Sequence, residues 1–167
     1  IKEAKDAAMQ AVGAKKGKFI FTSGGTEADN LAILGTIYSA LKRRPKLVTT
    51  KMEHPAVLEP CAHLARLGAD CRYVGVDTDG CVDLDELEQS LEPDTALVSV
   101  MLVNNEVGSI QPILKIAKMV RQICADALFH VDAVQGFGKI PIDVEKLDVD
   151  LLTISGHKIN GPKGIGG

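Results

Sequence analysis

Side chains capable of catalysis or ligand binding are concentrated at five points of the chain, and each point follows a short apolar run. The five groups are Ser23-Gly24-Gly25-Thr26-Glu27, Glu53-His54-Pro55, Asn104-Asn105-Glu106, Asp132 with Gln135, and Ser155-Gly156-His157-Lys158. If the apolar runs are parallel strands, their carboxyl ends meet along one rim of a sheet, where open α/β sheets bind ligands. The sequence therefore predicts one composite site built from five loops.

The turn Gly24-Gly25-Thr26 has the composition of an anion site. Between a strand and a helix it offers free backbone N–H groups and a hydroxyl at the positive end of the helix. Ser155 and His157 can add donors to the same phosphate. Taken alone, a Gly-Gly pair is more often simply a turn.

Three other residues suit the chemistry of pyridoxal 5′-phosphate (PLP). The amine of Lys158 can attack an aldehyde to form a Schiff base when a cationic or desolvating site lowers its pKa. Asp132 can pair with a protonated pyridine nitrogen, which makes the ring an electron sink, although an aspartate here could equally cap a helix. His54 can lie flat on the ring and relay protons.

The apolar runs alternate with amphipathic segments, which is typical of an α/β domain with a mainly parallel sheet. The predicted strands are 18–22, 46–51, 71–76, 96–102, 127–131 and 150–154, and the predicted helices are 1–12, 27–43, 55–67, 83–91 and 112–123. In 27–43, an apolar face is predicted from Leu31, Leu34, Tyr38 and Leu41. Without a repeat or linker, residues 1–167 form one predicted domain.

Composition narrows the class of partner. A net charge of −3 offers no basic face to a nucleic-acid backbone, and no apolar run is long enough to span a bilayer. The four cysteines show neither CxxC pairing nor metal-ligand spacing, which is typical of reduced residues in a cytosolic protein. We therefore expect a cytoplasmic protein with no membrane and no direct nucleic-acid partner.

Two other kinds of site are not predicted. His130 and Asp132 lie on one face of a strand, but no third ligand stands at a spacing suited to a metal ion. The chain has neither the GxGxxG fingerprint of a nicotinamide-binding domain nor a phosphate-binding P-loop. The sequence therefore predicts no metal site, and a nicotinamide cofactor is disfavoured.

Five segments together resemble the cysteine desulfurases, members of the class V aminotransferase group of fold-type I PLP enzymes. They are residues 21–32, 53–54, 104–108, 130–135 and 155–164. The resemblance implies a three-layer sandwich, the PLP-binding large domain, truncated at both ends. The N-terminal segment, the last strand and a small C-terminal domain would be absent, which would leave 18–22 as a bare edge strand.

The resemblance also implies a role for each site residue. Lys158 would hold the cofactor as a Schiff base, Asp132 would pair with the pyridine nitrogen, and His54 would stack on the ring and serve in acid–base steps. Gln135 would contact the phenolic oxygen of the ring. The full implied cofactor set is Gly25, Thr26, His54, Asn105, Asp132, Gln135, Ser155, His157 and Lys158.

The implied activity converts L-cysteine to L-alanine and an enzyme-bound persulfide, with sulfur passed to iron–sulfur cluster assembly or tRNA thiolation. The implied partners are a second copy of the chain and a sulfur-acceptor or scaffold protein. None of Cys61, Cys71, Cys81 and Cys124 occupies the nucleophile's position downstream of the lysine, so we expect the chain alone to be inactive. Two alternatives stay open: selenocysteine lyase or another class V carbon–sulfur lyase, and a non-catalytic PLP-binding fragment.

Overall fold

A computed structural model describes residues 1–39 and 45–167. Its sheet contains five strands, all parallel, in the order β2-β1-β3-β4-β5. They are β1 (Lys46–Thr50), β2 (Asp70–Val74), β3 (Thr95–Met101), β4 (Leu128–Asp132) and β5 (Leu151–Thr153). From β2 at one edge of the sheet, the chain passes β1 to reach β3 on the other side. The strand order therefore reverses between β1 and β3, and ligand-binding clefts form at such points.

Six helices are described, together with a 3₁₀ turn at Gly156–Ile159. They are α1 (Lys2–Ala11), α2 (Gly25–Tyr38), α3 (Pro55–Arg66), α4 (Leu84–Ser90), α5 (Ile113–Ile123) and α6 (Val144–Leu147). Within residues 1–39 and 45–167, none of these helices combines the length and apolarity needed to cross a membrane. The short α6 was not predicted, because four residues carry no helical period.

Apolar side chains on the two faces of the sheet belong to separate buried clusters. In β3, Leu97 packs with α2 and α3, whereas its neighbour Val98 packs with α4 and α5. Successive side chains of a strand point to opposite faces, so this alternation places one helical layer on each side of the sheet. The predicted three-layer α/β sandwich with a mainly parallel sheet is confirmed.

Helix starts follow the local chemistry that the sequence indicates. Pro55 opens α3, where its missing N–H costs nothing. The side chain of Asp83 accepts from the backbone N–H groups of Asp85 and Glu86, both at 3.0 Å, and thereby caps α4. All predicted strands except 18–22 agree with the structure within two residues.

The apolar face predicted for α2 is wrong. Leu31 and Tyr38 are about half exposed, whereas Ile33 and Ile37 are fully buried. The helix carries apolar residues on more than one side, so spacing alone did not indicate which side meets the sheet. The predicted stretch 40–43, with Leu41, lies outside the described residues.

The strand predicted at 18–22 is also wrong. Among the described residues, its backbone pairs with another segment only at Thr22, which exchanges two hydrogen bonds with Gly166, at 2.8 and 2.9 Å. Gly167 in turn accepts from the N–H of Ile154 at 2.8 Å. Aromatic and β-branched composition predicted the strand, but residues 165–167, and not 18–22, pair with the segment 154–156 directly after β5.

Close backbone packing at Gly166 yields a stability prediction. A Cβ at this position would lie 2.6 Å from the carbonyl carbon of Gly24, so Gly166→Ala must shift backbone and lower the free energy of unfolding by about 1–3 kcal/mol. Gly35→Ala is the control, because a Cβ there meets open space within α2 and should stabilise by about 1 kcal/mol. Urea unfolding measures both, and a Gly166→Ala chain as stable as wild type would contradict the close packing.

Candidate functional site

A cavity of about 470 Å³ opens at the carboxyl ends of the central strands. Met101 ends β3 and Asp132 ends β4, and both line the cavity, together with His54 from the loop after β1. Eight of the nine predicted cofactor residues line it, namely Gly25, Thr26, His54, Asn105, Asp132, Gln135, His157 and Lys158. The five loops therefore meet at one rim, as the sequence predicts, while the part that each residue plays toward a cofactor stays a prediction.

Ser155, the ninth residue, lies behind the cavity wall. It is 1% exposed, and its Oγ lies 2.8 Å from Nδ1 of His157. This contact orients the imidazole of His157 from the protein side. Ser155 thus contacts another member of the predicted set, and the direct phosphate contact predicted for it stays a prediction.

The glycine turn lies close to the loop that follows β4. A Cβ on Gly25 would lie 2.7 Å from Cγ2 of Val134, so the absence of a side chain lets the start of α2 approach that loop. The backbone N–H of Ser23 donates to the carboxylate of Glu27 at 2.6 Å, and this bond lowers the pKa of Glu27. The first turn of α2 is therefore fixed at the edge of the cavity.

His54 is held by the start of α3. Its Nδ1 accepts from the N–H of Ala56 at 3.1 Å, so the neutral imidazole carries its proton on Nε2. The preceding Glu53 is 4% exposed, and its Oε1 accepts from Thr50 Oγ1 at 2.7 Å and from the N–H of Met101 at 2.9 Å. Glu53 therefore ties the His54 loop to both β1 and β3.

Asp132 presents a buried carboxylate to the cavity. It is 5% exposed, and its Oδ1 accepts from the N–H of Val134 at 2.9 Å. Burial raises the pKa of Asp132, whereas the Val134 bond and the nearby His54 act in the opposite direction. No lysine or arginine in the described ranges forms an ion pair with this carboxylate. A cationic group in the cavity would supply the missing counter-charge.

Lys158 lies in the 3₁₀ turn after β5, and its exposed side chain lines the cavity. Tight packing shapes this turn, since a Cβ on Gly161 would lie 2.8 Å from the carbonyl oxygen of Gly156. Gln135 lies across the cavity on the loop after β4, and its Oε1 accepts from Lys139 Nζ at 3.1 Å. The arrangement thus combines an amine, a carboxylate, an imidazole and a helix start.

Two functional candidates were missed or left without a role by the sequence analysis. Asp29 of α2 lines the cavity at 1% exposure, and Glu53, next to His54, has no predicted role. An acidic residue directly after a buried strand could have pointed to Glu53. Nothing in the spacing around Asp29 distinguishes it from an ordinary acid in the first turns of a helix.

Comparison with known proteins places this site within a family. The family model described as "Aminotransferase class-V" matches residues 1–167. The protein named cysteine desulfurase IscS from Dictyoglomus turgidum is 48% identical over 166 residues, which cover 99% of this chain and 42% of that protein.

Solved structures of similar proteins share this fold. One titled "SspA in complex with cysteine" has a TM-score of 0.94 and 38% identity, over 99% of this chain and 47% of that one. A NifS-like protein has a TM-score of 0.93 and 43% identity, over 99% of this chain and 45% of that one.

The chain thus spans about two fifths of the curated relative's length and somewhat less than half of either solved chain. Within that span, the fold and the family match agree. The protein belongs to the aminotransferase class-V family.

Proposed function

We propose that the cavity binds PLP and that the protein acts as a cysteine desulfurase. Enzymes of the aminotransferase class-V family are PLP-dependent. The observation that carries the assignment to this cavity is the convergence of Lys158, Asp132 and His54 on one 470 Å³ space beside the start of α2. When bound, PLP supplies an electron sink that stabilises negative charge on the α-carbon of an amino acid.

The phosphate end of the cofactor would lie at the glycine turn. Gly25 and Thr26 offer backbone N–H groups at the start of a 14-residue helix, where the helix dipole favours an anion. His157, oriented through Ser155, would add a donor from the opposite wall. Phosphate binding here would fix the cofactor's position along the rim.

The pyridine ring of the cofactor would lie beside the carboxylate of Asp132. The buried carboxylate has one backbone donor and no cationic side chain paired with it among residues 1–39 and 45–167. A protonated pyridine nitrogen would provide that positive partner and make burial of the charge less costly. Asn105 and Gln135, which line the same cavity, would contact the ring substituents.

His54 would exchange protons with the substrate. Because Nδ1 already accepts from the N–H of Ala56, Nε2 is the atom that holds the exchangeable proton. Lys158, whose amine lines the cavity, would anchor the cofactor and is the second group able to move a proton. The two groups can therefore divide acid and base work between them.

The substrate and product assignments rest on the relatives. One is named a cysteine desulfurase, and a structural neighbour is titled as a complex with cysteine. We propose that the whole protein converts L-cysteine to L-alanine and a persulfide sulfur, for iron–sulfur cluster assembly or tRNA thiolation. It would act as a cytoplasmic homodimer that passes sulfur to an acceptor or scaffold protein.

The thiol chemistry supports a nucleophile other than the four cysteines of this chain. Burial raises the pKa of Cys71 to about 11 and raises that of Cys61 further, which disfavours the reactive thiolate. In the part of the chain that the structure describes, the residues lining the cavity include none of the four. We therefore propose that the chain binds the cofactor but does not form the persulfide by itself.

Cofactor attachment tests the proposal directly. We expect PLP, added to the purified chain and reduced with borohydride, to label Lys158, as located by peptide mass spectrometry. Lys158→Ala should abolish the visible absorption band and the label, whereas the exposed Lys163→Ala should retain both. Label scattered over surface lysines in both variants would show that the cavity is not the PLP site.

The ring contact gives a second prediction. Asp132→Asn removes the negative partner of the pyridine nitrogen and should weaken PLP binding about tenfold or more. Asp126→Asn, at an exposed position away from the cavity, is the matched control and should leave the Kd unchanged. Equal affinities of the two variants for PLP, measured by absorbance titration, would show that Asp132 does not pair with the cofactor.

A further inference from the structure

Asp29 is a buried carboxyl without a full set of partners. It lies in the second turn of α2 at 1% exposure, and its Oδ1 accepts no hydrogen bond within residues 1–39 and 45–167. The nearest imidazole nitrogen, His130 Nε2, lies 3.6 Å away, beyond normal hydrogen-bond length. An ionised carboxylate in this position would carry a large desolvation cost.

His130 does not provide a positive charge to offset that cost. The ring is fully buried, with Nδ1 2.8 Å from Ser99 Oγ and Nε2 3.0 Å from Thr153 Oγ1. Burial lowers the pKa of His130 to about 4, so the ring is neutral at physiological pH. The hydrogen-bonded side chains of Ser99, His130 and Thr153 therefore form a neutral row across β3, β4 and β5, beside Asp29.

The other titratable groups near Asp29 also favour its neutral form. Burial is the main cause that raises the pKa of Asp29 to about 8. The carboxylate of Asp132 raises it further, the hydroxyl of Thr153 acts in the opposite direction, and Glu53 adds a smaller increase. The groups that face it are His130 and Asp132 from β4 and Glu53 from the loop after β1, and around the shared cavity Glu27, His54, His157 and Lys158. The charged groups that shift its pKa are thus acidic.

Asp29 and Asp132 compete for one negative charge, because two carboxylates in a shared desolvated site resist ionising together. Asp132 accepts an N–H from Val134 at 2.9 Å and lies near His54, and both contacts favour its anion. Asp29 has no backbone N–H donor among residues 1–39 and 45–167, and only the hydroxyl of Thr153 favours its anion. The asymmetry assigns the proton to Asp29 and the charge to Asp132.

We propose that Asp29 is a protonated positioning residue for Asp132, which keeps the negative charge of this corner of the cavity on the carboxylate that faces the cofactor. The inference rests on the proposed function for its significance. Asp29 shares α2 with the Gly25-Thr26 turn, and His130 shares one face of β4 with Asp132. The contact between Asp29 and His130 therefore joins the phosphate end of the site to its ring end.

Infrared titration of the cofactor-free chain tests the protonation state. With ¹³C in the aspartate carboxyl groups, we expect an isotope-shifted carbonyl band of a protonated acid at pH 6.5 that disappears as pH rises through about 8. The band should be absent in Asp29→Asn and present in Asp132→Asn, which removes the neighbouring buried aspartate whose pKa is also raised. A wild-type chain with no such band at pH 6.5 would overturn the proposal without any variant.

Unfolding equilibria provide a readout that a merely structural role would not change. Because the folded pKa of Asp29 is raised, the folded state holds a proton that the unfolded state releases between about pH 4 and pH 8. Relative to Asp29→Asn, the unfolding constant of wild type should therefore rise by up to about tenfold per pH unit between pH 5 and pH 8. A pH-independent ratio would contradict the proposal.

Cofactor affinity separates this inference from the proposed function. Asparagine reproduces the neutral acid, so a loss of PLP affinity above tenfold in Asp29→Asn at pH 7 would overturn the proposal. The infrared and unfolding measurements contain no PLP. An ionised Asp29 would therefore refute the inference alone, whereas failure of wild type to bind PLP would refute the proposed function alone.

Discussion

Parallel pairing of β1, β3 and β4 is the constraint on which the site depends. Met101 pairs with Asp132 at the ends of β3 and β4, and Glu53 bonds to the N–H of Met101 from the loop after β1. These contacts bring His54 and Asp132 to the same rim. Since parallel strands all end on the same side, every loop that follows a strand is available to this one cavity.

Burial then determines how charge is arranged at that rim. Asp29, Glu53 and Asp132 are each no more than 5% exposed, and burial raises the pKa of all three, to about 8 for Asp29 and Glu53. Three ionised carboxylates so close together would be costly without cations. The proposed proton on Asp29, with the charge on Asp132, reduces this conflict and would suit a cofactor with a cationic ring.

Much of this arrangement could be predicted from the sequence, because the motifs follow apolar runs whose order fixes their place in a parallel sheet. Lys158, Asp132 and His54 were identified in this way. The segment 18–22 and the face of α2 were wrong because both depend on which tertiary partner is present. Strand composition at Phe19 to Phe21 does not reveal that residues 165–167 pair with 154–156, directly after β5.

Asp29 shows a different limit of prediction from the sequence. An acidic residue near the start of a helix is ordinary in sequence, and only the fold reveals that it lies between a buried histidine and the cavity. Its unpartnered oxygen is a property of packing in three dimensions. Residues that tune a site through a neighbour have no spacing rule of their own.

The most direct test of the central claim is the protonation state of the cofactor's ring nitrogen in the cavity. PLP labelled with ¹⁵N in the pyridine ring can be bound to the chain and observed by NMR at neutral pH. If Asp132 pairs with the ring, wild type should give the shift of a protonated nitrogen, and Asp132→Asn should lose it. An unprotonated nitrogen in wild type, or a shift that is unchanged by Asp132→Asn, would contradict the pairing of Asp132 with the ring.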